Sequence, residues 1–443
     1  MAGNIPLRVQ GLWRRKKDCC NDIRMMKHCI ILRLLTCTLA LALYATGMAQ
    51  GVIYSDRVYT LQVTVDDDFL SPTVVTMGKG QKVKIEFDEM SHDIRRLTYR
   101  ITHCNPDWTP TTELIESDWM EGFNDVVIDN AENSINTTML YTHYDFTIPN
   151  EQCRLKLSGN YIITVTDEDN DEKLLEARVM VVDQKTNIAM SVSSNTDIDV
   201  NKAHQQLTLE LNYNDLNVTY PERQIYTIFR QNDSPHQQRT NVTPDIKNIN
   251  GMAWRHNKSL IFDGGNEYRQ YETLALTHPT MGLSDTGWDG HNYTATPYDA
   301  EPRPNYVFEE DTNGAFYVRN SDNIENKTTC DYMLVNYKLY ADKPSDKSII
   351  IDGQWTTHAD KNKYIAKYDE QEGCYRLTLL QKQGYYAYRY LCIDSDGTTE
   401  TLKSEGNFHE TENQYQAYVY YKDEGGRYWQ LVGYRQLDYS SRR

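Results

Sequence analysis

The chain has 443 residues, of which 39% are hydrophobic and 25% are charged, and its formal net charge is −17. This acidic balance argues against a nucleic-acid partner, because binding to phosphates needs a basic face. It also argues against direct attachment to anionic lipid and favours solubility.

Residues 1–49 have the pattern of a secretory signal peptide. A basic stretch precedes an apolar run from Leu34 to Ala45, and Gly47-Met48-Ala49 supplies small residues for cleavage. The run is shorter than the roughly 20 residues of a membrane-spanning helix. A lipidated start at Cys37 is disfavoured because apolar sequence continues past it. Removing 1–49, with eight of the 46 basic and two of the 63 acidic residues, leaves a net charge of −23.

The rest of the chain has the pattern of β-strands. Twelve segments alternate between polar and apolar residues or are rich in Val, Ile, Thr and Tyr, which favours strands. They are residues 58–66, 81–87, 97–102, 160–167, 176–183, 206–213, 223–230, 332–340, 347–353, 375–380, 385–394 and 415–423. Turn residues separate them, and no long amphipathic helix is evident, so we predict an all-β fold.

Short strands at regular spacing favour tandem immunoglobulin-like or early-set β-sandwiches. Gly159 and Tyr161 enter one strand in the same pattern as Gly384 and Tyr386 enter another, and each strand is followed by an acidic turn. We expect an N-terminal β-sandwich at 51–183, a middle β-rich domain with long loops at 184–325, and a C-terminal immunoglobulin-like or early-set domain at 326–443. The stretch 277–314 is either a long ordered loop or a connection between domains, and such loops are often functional.

The segment His103-Cys104-Asn105-Pro106-Asp107-Trp108 raises the question of nucleophilic catalysis. A catalytic cysteine needs a base within hydrogen-bond reach. Adjacent side chains on a strand point to opposite faces, so His103 is poorly placed to activate Cys104. We therefore interpret the segment as a structural turn and predict no catalytic residues. Trp108 and the nearby Trp119 either pack over a sandwich edge or serve as partner anchors.

Metal and cofactor patterns are also missing from the sequence. Asp167–Glu172 begins like a calcium loop, but Glu172 stands where glycine is needed and Arg178 where glutamate is needed. No zinc spacing or phosphate-binding glycine loop is evident, so we predict no metal or cofactor. Five cysteines follow the leader, an odd number. Cys104–Cys153 and Cys374–Cys392 are plausible disulfides, and buried thiols are the alternative.

Several motifs in order resemble one known family. They are THCNPDWTPTTE, LSGNYIITV, FDGGNEYRQYE, LLQKQGYYAYRY, EGNFHETENQYQAYVYYKD and YWQLVGYRQL, and the resemblance runs from about Tyr54 to Leu437. These motifs are similar to those of the type IX secretion system plug proteins. The resemblance implies a periplasmic, all-β, non-catalytic protein that closes the periplasmic end of a large outer-membrane translocon β-barrel. It implies association with the membrane through that partner, without direct insertion.

Two further hypotheses concern binding. Asn407, His409 and Glu412 precede the strand at 415–423. The favoured interpretation is that this motif builds only the last hairpin across Gly425-Gly426. The other hypothesis is that the three residues form a polar patch that docks on the translocon. The alternative function is a periplasmic polysaccharide-binding protein, because the C-terminal region resembles early-set sandwiches found beside starch-active enzymes. In that case Trp288, Trp355 or exposed tyrosines would contact the glycan.

Overall fold

The computed structural model describes residues 51–340, 345–358, 360–395 and 397–441, so the signal-peptide prediction for 1–49 lies outside the described residues. Each of the twelve predicted strands overlaps an observed strand, which confirms the all-β, multi-domain prediction. The described residues also contain one-turn 3-10 helices at Pro235–Gln237, Lys258–Leu260, Gln354–Thr356, Lys361–Tyr364 and Lys403–Glu405.

The first sandwich is built from the segment that follows the leader. Its elements are β1 (Gly51–Ile53), β2 (Val58–Val65), β3 (Val74–Thr76), β4 (Val83–Glu89), β5 (Leu97–Cys104), α1 (Glu116–Trp119), β6 (Met120–Gly122), β7 (Val126–Val127), β8 (Asn130–Asn133), β9 (Thr142–Ile148), β10 (Cys153–Leu155), β11 (Gly159–Asp167) and β12 (Glu172–Val182). One sheet has the order β1-β12-β11-β5-β7, and the other has the order β2-β4-β9-β8. Rings of Tyr99 and Phe146 stack across the two sheets with centroids 4.5 Å apart, inside one shared core.

The second sandwich begins in the middle of the chain. Its elements there are β13 (Asn187–Ser193), β14 (His204–Asn212), α2 (Pro221–Gln224), β15 (Ile225–Gln231), β16 (Gln238–Thr240), β17 (Ile246–Asn248), β18 (Gly251–Trp254) and β19 (Ile261–Asp263). One of its sheets has the order β13-β14-β18-β17, with β19 beside β14.

A large ten-stranded sheet follows. Its elements are β20 (Arg269–Glu272), β21 (Leu283–Trp288), β22 (Tyr293–Pro297), β23 (Phe316–Val318), α3 (Asn326–Thr329), β24 (Tyr332–Tyr340), β25 (Ser348–Asp352), β26 (Ile365–Asp369), β27 (Cys374–Lys382), β28 (Gly384–Ile393) and β29 (Thr399–Thr401). The strand order is β20-β28-β25-β26-β27-β24-β22-β21, with β23 and β29 also paired to β28. Buried tyrosines dominate the core of this sheet, among them Tyr271, Tyr337, Tyr386, Tyr388 and Tyr390.

The chain then returns to the second sandwich. Strands β30 (Gln414–Tyr421) and β31 (Gln430–Asp438) form an antiparallel hairpin, as the sequence predicted, with Gly425 at positive φ in its turn. β30 also pairs with β15, so the second sheet of this sandwich has the order β16-β15-β30-β31. Its core therefore contains residues from both sides of position 325/326, and that domain boundary stays a prediction.

The repeated Gly-x-Tyr motif has the same local structure in both places. The hydroxyl of Tyr161 donates to the carbonyl of Leu157 at 2.7 Å, and that of Tyr386 donates to Lys382 at 2.6 Å. A Cβ on Gly159 would lie 2.6 Å from the His103 ring, and one on Gly384 would lie 2.3 Å from the Tyr317 carbonyl. Glycine is needed at both sites because a larger residue would clash with the neighbouring strand, β5 at Gly159 and β23 at Gly384. A tyrosine bonded to backbone a few residues upstream is also a feature of immunoglobulin-like sandwiches.

The five cysteines of the described residues are free thiols, so neither disulfide considered from the sequence is formed. Cys104 and Cys153 lie in different hydrophobic clusters, Cys104 near the C-terminal hairpin and Cys153 inside the first core. Cys374 on β27 and Cys392 on β28 are separated by β25 and β26. Three strand spacings amount to about 14 Å along the sheet, well beyond disulfide reach.

Candidate interaction surface

The His103–Trp108 segment ends β5 and continues into a turn, in which the Trp108 amide donates to the Asn105 carbonyl at 2.9 Å. His103 is buried, and its ring nitrogens contact the Thr111 hydroxyl at 2.9 Å and the Ser158 carbonyl at 3.3 Å. Burial lowers the pKa of His103 to about 4 and raises the pKa of Cys104 to about 12. At neutral pH this pair is therefore an uncharged imidazole beside an uncharged thiol, which leaves the thiol a weak nucleophile.

Trp108 and Trp119 both lie inside the protein. Trp108 adopts a φ of 66° and packs with Tyr418, Tyr420 and Leu431, where the first sandwich meets β30 and β31. The guanidinium of Arg178 lies 5.1 Å from the centroid of its ring. Trp119 packs in the first core, edge-on to Tyr161 at 5.9 Å. Burial favours packing over the anchor role for both tryptophans.

The three polar candidates near the C-terminus contact other parts of the chain. The side chain of Asn407 accepts from the Gly265 amide at 2.8 Å and donates to Asp263 at 2.9 Å. The His409 amide donates to the Lys202 carbonyl at 2.9 Å while its ring pairs with the adjacent Glu410, and Glu412 accepts from the Ser440 hydroxyl at 2.5 Å. The structure thus brings together two motifs singled out in the sequence, FDGGNEYRQYE and EGNFHETENQYQAYVYYKD. Their docking role stays a prediction, and these contacts favour a structural role.

A buried charge cluster lies where these motifs meet the large sheet. Arg269 and Arg303 both bind the carboxylate of Glu405, through contacts of 3.1 and 3.0 Å. Burial alone would raise the pKa of Glu405, but the two guanidinium groups hold it below its ordinary value. Nearby, burial raises the pKa of Asp311 to about 7. Asp311 lies in the long segment 277–314 and accepts from the amides of Tyr268 and Asn313. Tyr268 immediately precedes β20, so this bond ties the segment to the large sheet.

A second charge cluster joins the first sandwich to the large sheet, and sequence reasoning missed it. The Lys382 ammonium on β27 lies 2.6 Å from the Asp88 carboxylate on β4, and both side chains are 1% exposed. The Asp88 carboxylate also accepts from the Tyr332 hydroxyl at 2.6 Å and contacts His143 Nδ1 at 2.8 Å. The Lys382 ammonium lies 4.1 Å from the centroid of the Tyr141 ring. A lysine inside a strand-forming motif was the available signal, but its partner is 294 residues away.

The exposed apolar side chains are the remaining candidates for partner contact. The segment 277–314, noted in the sequence as a long loop, forms the hairpin β21–β22 and an ordered continuation. β21 is the last strand of the large sheet and so presents an edge. Trp288, at its end, is 52% exposed and packs edge-on against Tyr293 at 4.9 Å. We use the name hairpin surface for the exposed apolar side chains of the segment 277–314, which are Met281, Trp288, Tyr298, Val307 and Phe308.

The glycan alternative relied on Trp288 and Trp355. Trp355 is 8% exposed, and its ring nitrogen donates to the Ala387 carbonyl at 3.0 Å. It therefore presents no open platform, whereas Trp288 presents part of one ring. In the part of the chain that the structure describes, no group of His, Cys, Asp and Glu side chains is arranged to hold a metal ion. The helices in the same ranges are all too short or too polar to cross a membrane.

Comparisons with known proteins agree with the sequence motifs. A family model described as type 9 secretion system plug protein, 1st domain, matches residues 58–183, which coincide with β2–β12. A solved structure of a hypothetical protein from Parabacteroides merdae ATCC 43184 is 32% identical and covers 88% of this chain and 99% of its own, with a TM-score of 0.85. The comparison with curated proteins gave no match.

Proposed function

The chain belongs to the type 9 secretion system plug protein family, and we propose that it is a non-catalytic accessory protein that closes or gates the periplasmic end of an outer-membrane translocon barrel. The family match over 58–183 is the observation that carries this proposal. The pattern of residues 1–49 adds the expectation of export by a cleaved signal peptide, and the family match adds the expectation of association with the outer membrane through the translocon.

Two features of the structure support such a role. A plug must keep its shape under load, and the buried pair of Lys382 and Asp88 fixes the large sheet against the first sandwich. The contacts of Glu405 with Arg269 and Arg303 fix the segment 401–415 against the large sheet in the same way. Buried pairs of this kind tolerate little relative movement, because separation would leave an unpaired charge in a dry interior.

We infer that the hairpin surface contacts the translocon. Trp288 on the edge strand β21 is 52% exposed, and Tyr298 and Val307, further along the same segment, are 66% and 75% exposed. An edge strand offers unpaired backbone groups, and exposed tryptophan and tyrosine are common energetic centres of interfaces.

Co-purification from native outer membranes tests the function. We expect the tagged protein to recover one very large β-barrel protein. Recovery of glycan-utilisation proteins instead would contradict the plug role and support the polysaccharide-binding alternative. The double variant Trp288→Ser/Val307→Ser should lower the yield of the barrel at least fivefold. Ile249→Ser, on a 92% exposed residue in the β17–β18 turn, is the matched control and should leave the yield unchanged.

The two levels of the proposal fail separately in this design. If the wild type recovers the barrel and the double variant does so equally well, the plug role stands and the hairpin surface is not the contact. Melting curves of both variants should match that of the wild type, because single exposed side chains contribute little to stability.

A further inference from the structure

A cavity of about 300 Å³ lies between β2 of the first sandwich and β27 of the large sheet. Aromatic side chains from the first sandwich and from the large sheet with its connecting segments form much of its wall. They are Tyr59, Phe316, Trp355, Tyr364 and Tyr386. Tyr59 and Tyr364 are half-buried, and the neighbouring Lys363 is exposed, which places the mouth of the cavity on their side. Thr60, also on the wall, holds a φ of 54°, which is uncommon for a β-branched residue.

Two wall residues carry buried nitrogens without a hydrogen-bond partner in the protein. They are Gln381 Nε2 and His358 Nε2, and both residues are more than nine-tenths buried. The carboxamide of Gln381 is held by Tyr271 and Tyr337, whose hydroxyls donate to its oxygen at 2.8 and 2.7 Å. Its nitrogen is therefore left as a donor. Such groups are costly to bury unless a partner reaches them.

The charged groups around the cavity are already paired. Lys382 binds Asp88 at 2.6 Å, and Lys363 binds Asp56 at 2.6 Å. Burial lowers the pKa of His358 to about 4, so its ring is neutral at physiological pH. The cavity thus offers neutral hydrogen-bonding groups and aromatic faces, with no unpaired ion to hold a charged ligand.

We propose that this cavity binds a neutral, single-ring aromatic molecule that carries one hydrogen-bond acceptor, such as an aryl ketone or aryl amide. A cavity of about 150 Å³ is enough to hold benzene, so this one has room for a ring and a substituent. Aromatic walls favour a flat ring, and the acceptor would satisfy Gln381 or His358. The ligand would contact both the first sandwich and the large sheet, and so stabilise the contact between them. This role goes beyond the proposed closure of the translocon.

Four probes of nearly the same shape test the chemistry on the purified mature chain. They are acetophenone, benzamide, α-methylstyrene and benzoate, measured by saturation-transfer NMR titration at pH 7.5. We expect the first two to bind, α-methylstyrene to bind at least fivefold more weakly because it lacks an acceptor, and benzoate not to bind. Equal binding of all four, or binding of none because only water fills the cavity, would overturn the proposal.

A variant and a crystal structure locate the binding. His358→Leu should weaken acetophenone binding about fivefold and leave α-methylstyrene unchanged, while the melting temperature holds or rises because an unpaired buried nitrogen is removed. His291→Leu, in the exposed β21–β22 turn, should change none of these values. Should the first variant fold poorly, a crystal soaked with benzamide decides: electron density beside Gln381 supports the site, and density only elsewhere refutes it.

Discussion

Replacing Lys382 with methionine tests whether its buried ion pair with Asp88 stabilises the contact between the first sandwich and the large sheet. Methionine keeps most of the length of the apolar part of the lysine side chain and removes the ammonium that lies 2.6 Å from Asp88. The variant also loses the hydrogen bond from this ammonium to the Lys327 carbonyl, at 2.7 Å. Because Asp88 is left as a buried anion, we expect a loss of about 3–5 kcal/mol in the free energy of unfolding. For a chain of this length that corresponds to a fall of about 4–6 °C in the melting temperature.

His143 gives the same variant a pH dependence. Burial opposes charging of this ring, but the carboxylates of Asp88 and Glu86 raise its pKa above the ordinary 6.5. With the lysine removed, a protonated His143 can neutralise Asp88 in part. This compensation is present below the raised pKa and lost as pH rises through it. The loss of stability should therefore be smaller at pH 5.5 than at pH 8.

Urea denaturation followed by tryptophan fluorescence, with calorimetry for the melting temperature, measures both effects. Lys347→Met is the matched control, since Lys347 binds Asp394 and Glu400 at the surface of the same sheet and its loss should change stability far less. The double variant Asp88→Asn/Lys382→Met should recover at least about 2 kcal/mol relative to the sum of the single changes. A loss below 1 kcal/mol for Lys382→Met, or no such coupling, would refute the reasoning.

Three further predictions address other parts of the structure. Trp108→Ala should lower the free energy of unfolding by about 3–5 kcal/mol in urea titrations, whereas Phe123→Ala, at a 75% exposed site, should stay within about 0.5 kcal/mol; equal values would contradict the packing of Trp108 against the C-terminal hairpin. Folding raises the pKa of Asp311 from 3.8 to about 7, so this group lowers the free energy of unfolding as pH rises between those values. Asp311→Asn should therefore reduce the decrease in stability between pH 4.5 and 7.5. An unchanged dependence of stability on pH would contradict the raised pKa. Asn407→Ala should cost about 1–3 kcal/mol because it leaves the Gly265 amide unpaired; an unchanged melting curve with weaker barrel recovery would instead favour the docking patch.

The sequence was a good guide to local structure. Alternation of polar and apolar residues located the strands, and the Gly425-Gly426 turn joined the last two strands correctly. The separation of His103 and Cys104 to opposite faces also followed from strand geometry alone. These features depend on residues close together in the chain, where the period of a strand decides which side chains point inward.

Long-range partners could not be predicted in this way. The period of a strand fixes its faces but not its neighbour, so the pairing of β30 with β15 was not foreseen. The same holds for Lys382 and Asp88, each of which would also fit a solvent-facing site by its residue type alone. Asn407, His409 and Glu412 lie in a turn, where no period indicates direction, and the structure turns Asn407 toward Asp263 and Gly265.

The return of the last hairpin to the second sandwich has a consequence for how the chain acquires its structure. β15 is translated about 190 residues before β30, and until then it has only β16 as a neighbour in its sheet. The second sandwich therefore cannot complete its core during synthesis, because that core includes residues of β30 and β31 near the C-terminus. Long-range closure of this kind is slow and exposes unpaired edges in the meantime. A chain that stops before residue 414 would leave β15 with an open edge and the second core without one wall.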